Sequence, residues 1–242
     1  MTETEPPHLL CERTGALLRL TINRPRAANA IDGAVAHGIV AGLAEAGADP
    51  QIRAVVLTGA GDRVFSAGRD LKNPGNLAAD AFDRQRRAEL QAYTAALLAF
   101  DKPLVVALNG AALGAGLMLA LHADLVVAVD HASIGLPEID VGIAAFLGHA
   151  LVAELAGNAL ANALVLTGRR ATALEAQQHG LVHAIVAPAR LAAESEARAA
   201  ALGAKPVDVF REMKRWILQR RRAAVAAALQ AHERSDEART AR

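Results

Sequence analysis

The chain of 242 residues has a single cysteine, Cys11, so it cannot close an internal disulfide. A lone thiol in an N-terminal segment with no evident base beside it offers no nucleophilic pair, and its isolation suits a reducing compartment. Neither sign of charge is in excess: 26 Lys and Arg stand against 25 Asp and Glu, for a formal net charge of +1. Phosphate backbones are bound by concentrated Lys and Arg, so the balance gives no reason to expect nucleic acid as a partner. The basic runs Lys214-Arg215 and Arg220-Arg221-Arg222 read as a solvated helix face. No His/Cys/Glu grouping has metal-ligand spacing. No Gly-x-x-x-x-Gly-Lys-Ser/Thr loop occurs, and Gly114 with Gly116 lacks the third glycine of a dinucleotide fingerprint. Ser66 has no glycine two residues before it, so there is no nucleophile elbow. The chain is therefore expected to hold no metal and no permanent cofactor. Its N-terminus is acidic and proline-containing, with neither a basic nor a long apolar region, and the expected location is cytoplasmic.

One stretch with little charge, residues 104–123, approaches bilayer-spanning length. Asn109-Gly110, Gly114 and Gly116 interrupt it, so it reads as buried strand, turn and buried helix, and no membrane partner is expected. The wider pattern alternates. Strands are predicted at residues 17–22, 54–58, 104–108 and 125–129, and helices at 32–46, 80–100 and 113–121. Strands separated by helices argue for parallel crossover units and an α/β fold. After about Ala144 the chain reads as helices only, rich in Ala and Leu, with Gly157, Gly168, Gly180 and Gly203 as stops.

Two stretches place small residues directly after an apolar strand-like run: Phe65-Ser66-Ala67-Gly68-Arg69-Asp70-Leu71-Lys72, and Asn109-Gly110-Ala111-Ala112-Leu113-Gly114-Ala115-Gly116. Such turns can aim backbone N–H groups at a ligand, and two converging donors are what a thioester enolate needs on its oxygen. With Ile22-Asn23-Arg24-Pro25, Leu136-Pro137-Glu138-Ile139-Asp140-Val141-Gly142, Leu166-Thr167-Gly168 and Gly180-Leu181-Val182, the chain resembles the enoyl-CoA hydratase/isomerase (crotonase) superfamily over nearly its whole length.

The resemblance implies a crotonase-like spiral of ββα units over residues 1–190. It implies a helical oligomerisation region over 191–242, shorter than is usual in the family, and assembly into homotrimers or hexamers. It carries the oxyanion-binding N–H groups over to Arg69 and Ala115, and leaves open whether the Arg69 side chain reaches a CoA phosphate or the acyl pocket. CoA, as part of the substrate, is expected against Arg26, Ala28, Ala67, Asp70, Leu71 and Lys72, whose Lys and Arg would pair with phosphates. The segment 73–87 resembles the family's pocket lid.

Family hydratases hold water between two carboxylates. Here the first position is Met118, and the later acid of dienoyl-CoA isomerases falls on Phe146, so both read as apolar pocket walls and Glu138 is the one family carboxylate retained. Burial would raise its pKa, and the missing second acid would lower it relative to a two-carboxylate site. One carboxylate suits a proton shuttle that shifts a double bond. A hydratase, lyase or hydrolase acting on a specialised acyl-CoA stays open, as does a non-catalytic acyl-CoA binder. Asp140, on the opposite face if its segment is extended, reads as structural, as do His149, His122 and Asp124.

Overall fold

The computed structural model describes residues 6–71 and 79–240. Its main sheet is built from β1 (Leu9–Thr14), β2 (Leu17–Ile22), β3 (Ala54–Gly59), β5 (Leu104–Leu108), β7 (Leu125–Val129) and β10 (Ala184–Val186), and a second, smaller one from β4 (Val64–Ser66), β6 (Ala111–Leu113), β8 (Ser133–Gly135) and β9 (Arg170–Thr172). The spatial orders are β1-β2-β3-β5-β7-β10 and β4-β6-β8-β9. After the antiparallel β1-β2 pair, three successive turns of the chain, β3-β4, β5-β6 and β7-β8, each lay one strand in each sheet and then pass into a helix, which is the expected ββα spiral. The strands β3, β5 and β7 pair in parallel. Their sequences, Ala-Val-Val-Leu, Leu-Val-Val-Ala-Leu and Leu-Val-Val-Ala-Val, have no alternation because both faces are covered.

The helices are α1 (Gly33–Ala48), α2 (Ala79–Ala99), α3 (Ala115–Ala120), α4 (Phe146–Ala156), α5 (Asn158–Thr167), α6 (Ala173–Gln178), α7 (Leu191–Gly203) and α8 (Val207–Thr240). Asp32 caps α1, accepting from the Val35 N–H at 2.9 Å. The stretch 104–123 is strand, short strand and helix, and among the described residues no helix is long and apolar enough to cross a membrane.

Two expectations are corrected. The chain after Ala144 is not all helix: β10 pairs in parallel with β7, and β9 runs antiparallel to β8. Strands of three residues are too short to show a period, and in β9 only Ala171 is buried. The basic runs are not wholly a solvated face either, because Lys214 and Arg221 are buried. The Lys214 Nζ donates to Asp124 Oδ2 and to the Lys102 carbonyl, both at 2.7 Å, and Arg221 faces Glu154 across 3.5 Å. Asp124 also accepts from the Leu104 N–H at 2.8 Å. The α8 helix is thereby fastened to the spiral at the head of β5 and along α4, on which it packs.

Candidate active site

The first small-residue turn leaves β4 at Ser66. Asn29, buried at a positive φ of 52°, donates from Nδ2 to the Ala60 and Val64 carbonyls, and Asn109 donates from its own Nδ2 to Gly61. The loop before β4 is thus braced from two sides. Beyond it, Ala67 N–H donates to Ala28 O at 3.0 Å, Ile31 N–H to Gly68 O at 2.8 Å and Asp70 N–H to Ile31 O at 2.9 Å. The second turn is pinned by Gly114 N–H donating to Gly135 O at 2.9 Å, and Ala115 opens α3. The first N–H groups of any helix have no partner within it and point outward from its start.

The backbones of the two turns touch. Gly68 has φ +98°, and a Cβ there would sit 2.9 Å from Leu113 O and 3.3 Å from Ala115 N; at Gly116 it would sit 2.5 Å from Ser66 O. Only glycine permits the conformation at Gly68 and this closeness at either position. Arg69 follows directly on Gly68, so the residues carrying the two anticipated oxyanion donors lie together at one end of a single cavity of about 260 Å³.

Glu138 lines the same cavity. Its segment is a 3-10 turn, Pro137–Val141, opened by a proline and closed by Gly142 at φ 72°. A Cβ on Gly114 would lie 3.0 Å from Glu138 Oε1, so the carboxylate approaches the second turn as closely as a glycine allows. Its Oε2 is buried and has no hydrogen-bond partner among the described residues. Burial pushes the Glu138 carboxyl above its ordinary range, while its own backbone N–H and the Arg69 guanidinium partly offset the rise. A half-buried acid with a raised pKa in a largely apolar cavity is a candidate reactive group.

Met118 and Phe146 both line this cavity, as does Leu71. Arg69 lines the cavity, and its guanidinium charge favours the ionised forms of both Glu138 and the buried Tyr93 hydroxyl. Ala28 reaches the first turn through its bond to Ala67, with Arg26 exposed two residues earlier. The Asp70 carboxylate is held by Arg24, whose Nη2 donates to Oδ2 at 2.9 Å while its Nε lies 3.3 Å from Asp32. Arg24 therefore ties the first turn to the start of α1, a role that its place in the Asn-Arg-Pro motif does not reveal. Lys72 and residues 73–78 of the anticipated lid lie outside the described residues.

Asp140 is a correction to the extended-segment premise. In a 3-10 turn it faces the same cavity as Glu138, with its carboxylate against Gly168, where a Cβ would be 2.6 Å from Oδ2. His149 bonds Asn162 across α4 and α5 at 2.9 Å. His122 is buried with Nδ1 on Met118 O at 2.7 Å, a core contact. His232, from α8, also lines the cavity and meets the Phe146 ring edge-on, with centroids 6.2 Å apart. No sequence signal marks His232, because α8 must fold back onto α4 before it approaches the site. Among the described residues no group of three His, Cys, Asp or Glu could hold a metal ion.

A chain built this way has many relatives. The family model described as enoyl-CoA hydratase/isomerase matches residues 12–240. Carnitinyl-CoA dehydratase of Salmonella arizonae is 36% identical over 216 residues, 89% of this chain and 76% of its own. The putative enoyl-CoA hydratase/isomerase YngF of Bacillus subtilis is 39% identical over 197 residues, 81% of this chain and 75% of its own. The crystal structure of enoyl-CoA hydratase from Bacillus anthracis superposes with a TM-score of 0.83 at 28% identity, covering 95% of this chain and 90% of that one. Two touching glycine turns facing a buried carboxylate, on a ββα spiral with these relatives, belong to an enzyme of the enoyl-CoA hydratase/isomerase family.

Proposed function

We propose that the enzyme acts on an acyl-CoA thioester by moving one proton between two carbons, shifting a carbon–carbon double bond. The thioester oxygen would accept from the Arg69 and Ala115 N–H groups. Negative charge grows on that oxygen as the C2 proton leaves, and donors fixed in a dry site stabilise it without reorganising. Glu138 would take the C2 proton of a 3-enoyl ester, giving a dienolate, and return it at C4, so that the double bond lies between C2 and C3. Atoms and charge balance with no added water. Arg26 and Lys72 would meet CoA phosphates, with Ala28, Ala67, Asp70 and Leu71 forming the adjacent surface.

The observation that carries this reading is the unpartnered, buried Oε2 of Glu138 in a cavity whose other wall offers the Met118 thioether where a second acid would be needed to hold water. Loss of water from a 3-hydroxyacyl-CoA is a second reading, favoured by the relatives named carnitinyl-CoA dehydratase. In it Glu138 would pass the C2 proton to the departing hydroxyl. Liquid chromatography with mass detection separates the two on 3-enoyl, 2-enoyl and 3-hydroxyacyl-CoA esters. Isomer exchange without a change of mass in the wild type, and none in Glu138→Gln, supports the first. A mass change of one water supports the second.

The apolar stripe Val209, Met213, Trp216 and Ile217, exposed along α8 at helical spacing, supports the homotrimer or hexamer that the resemblance implies.

A further inference from the structure

The active-site cavity shares lining residues with a second cavity. That second cavity, of about 360 Å³, lies between α2 and α8. Leu90 on α2, Leu147 on α4 and His232 on α8 line both spaces. Of these, His232 is held against the Phe146 ring with planes 85° apart, an arrangement that the opposed edge and face charges of aromatic rings favour. Phe146 begins α4, the helix on which α8 packs, so the two rings close the cavity from elements fixed to one another. Beyond the pair, Ala88, Ala228 and Leu229 supply apolar wall, and Arg84, Arg87 and Glu233 line the same space. Glu138 and the two turns line the first cavity and not the second, so a chain that reacts there meets the second space only past the three shared residues.

We propose that His232, seated on Phe146, is the end wall of the acyl pocket and limits the length of chain the enzyme accepts. The space between α2 and α8 is what a longer chain enters once the imidazole is gone. This rests on the acyl-CoA reading and deepens it: the substrate is an acyl-CoA whose chain ends at the ring pair. Each further methylene that finds apolar cover is worth about fourfold in affinity, whereas a chain that meets a wall gains nothing or clashes.

The test measures binding and turnover separately. Dissociation constants for unreactive saturated acyl-CoA esters of increasing even length are taken by calorimetry on wild type, His232→Ala and His232→Phe, alongside kcat/KM for the matching enoyl esters. Wild-type affinity should rise with length and then stop or reverse. In His232→Ala the break should move out by at least two methylenes, with about tenfold or greater preference gained for the longer esters. His232→Phe, which keeps a ring against Phe146, should retain the wild-type break. Superimposable length profiles in wild type and His232→Ala, or a break that moves equally in both variants, would overturn the proposal. Binding with this length dependence but no turnover would sink the proton-transfer reading while leaving the end wall intact. An absence of binding to every ester would overturn both.

Discussion

The chemistry proposed here concentrates on one carboxyl and the glycines facing it. Because burial raises the Glu138 pKa and the Arg69 charge lowers it, the base form must be recovered at a pH above the ordinary carboxylate range. The acid limb of kcat/KM should therefore lie above the value of a free Glu. Arg69→Met, which keeps the backbone N–H, should move that limb to higher pH, because it removes the charge that favours the carboxylate. A pH–rate profile of both proteins checks the sign. Gly114→Ala tests the approach itself. At φ +52° the new methyl would be strained, and it would stand 3.0 Å from Glu138 Oε1. Turnover should fall by up to about 10²–10⁴-fold, the range set by losing a positioned general base, with the circular dichroism spectrum unchanged.

At the scale of elements, legibility followed the length of the pattern. Continuous apolar runs centred on Val-Val announced β3, β5 and β7, and small residues after apolar strands announced both turns. The second sheet escaped because its strands are three residues each, and β1 escaped because most of its side chains face solvent. The turn carrying Glu138 and Asp140 is 3-10, so the opposite-face placement of Asp140, which held only for an extended segment, does not apply; Pro137 and Gly142 together encode the turn. Contacts made by folding back, His232 on Phe146 and Arg24 on Asp70, have no local signal at all. The attachment of α8 is another, since Lys214 looked like surface charge. Lys214→Met leaves Asp124 half-buried without its cation and should cost about 3 kcal/mol, read as a lower Tm with the far-ultraviolet spectrum retained.

For the molecule as a whole, acid sensitivity has an identifiable origin. Burial holds the His122 pKa down to about 4, from an ordinary 6.5, and Nε2 has no partner among the described residues. The unfolded chain takes up this proton first, so the stability contributed by neutral His122 is complete above pH 6.5 and is lost as pH falls toward 4. His122→Leu should be somewhat less stable at neutral pH, because the Met118 carbonyl loses its donor, yet show a flatter stability profile across that window in urea titrations.

In the proposed reaction Glu138 carries one proton from carbon to carbon. Turnover of a 3-enoyl-CoA in deuterated water, with the product mass followed for wild type and Glu138→Gln, addresses it most directly. Proton transfer by Glu138 should give a 2-enoyl product carrying at most one deuterium at C4 after a single turnover and no added oxygen, with the mutant slower by about 10²–10⁴-fold. Full activity in Glu138→Gln, or a product heavier by a whole water, would contradict it.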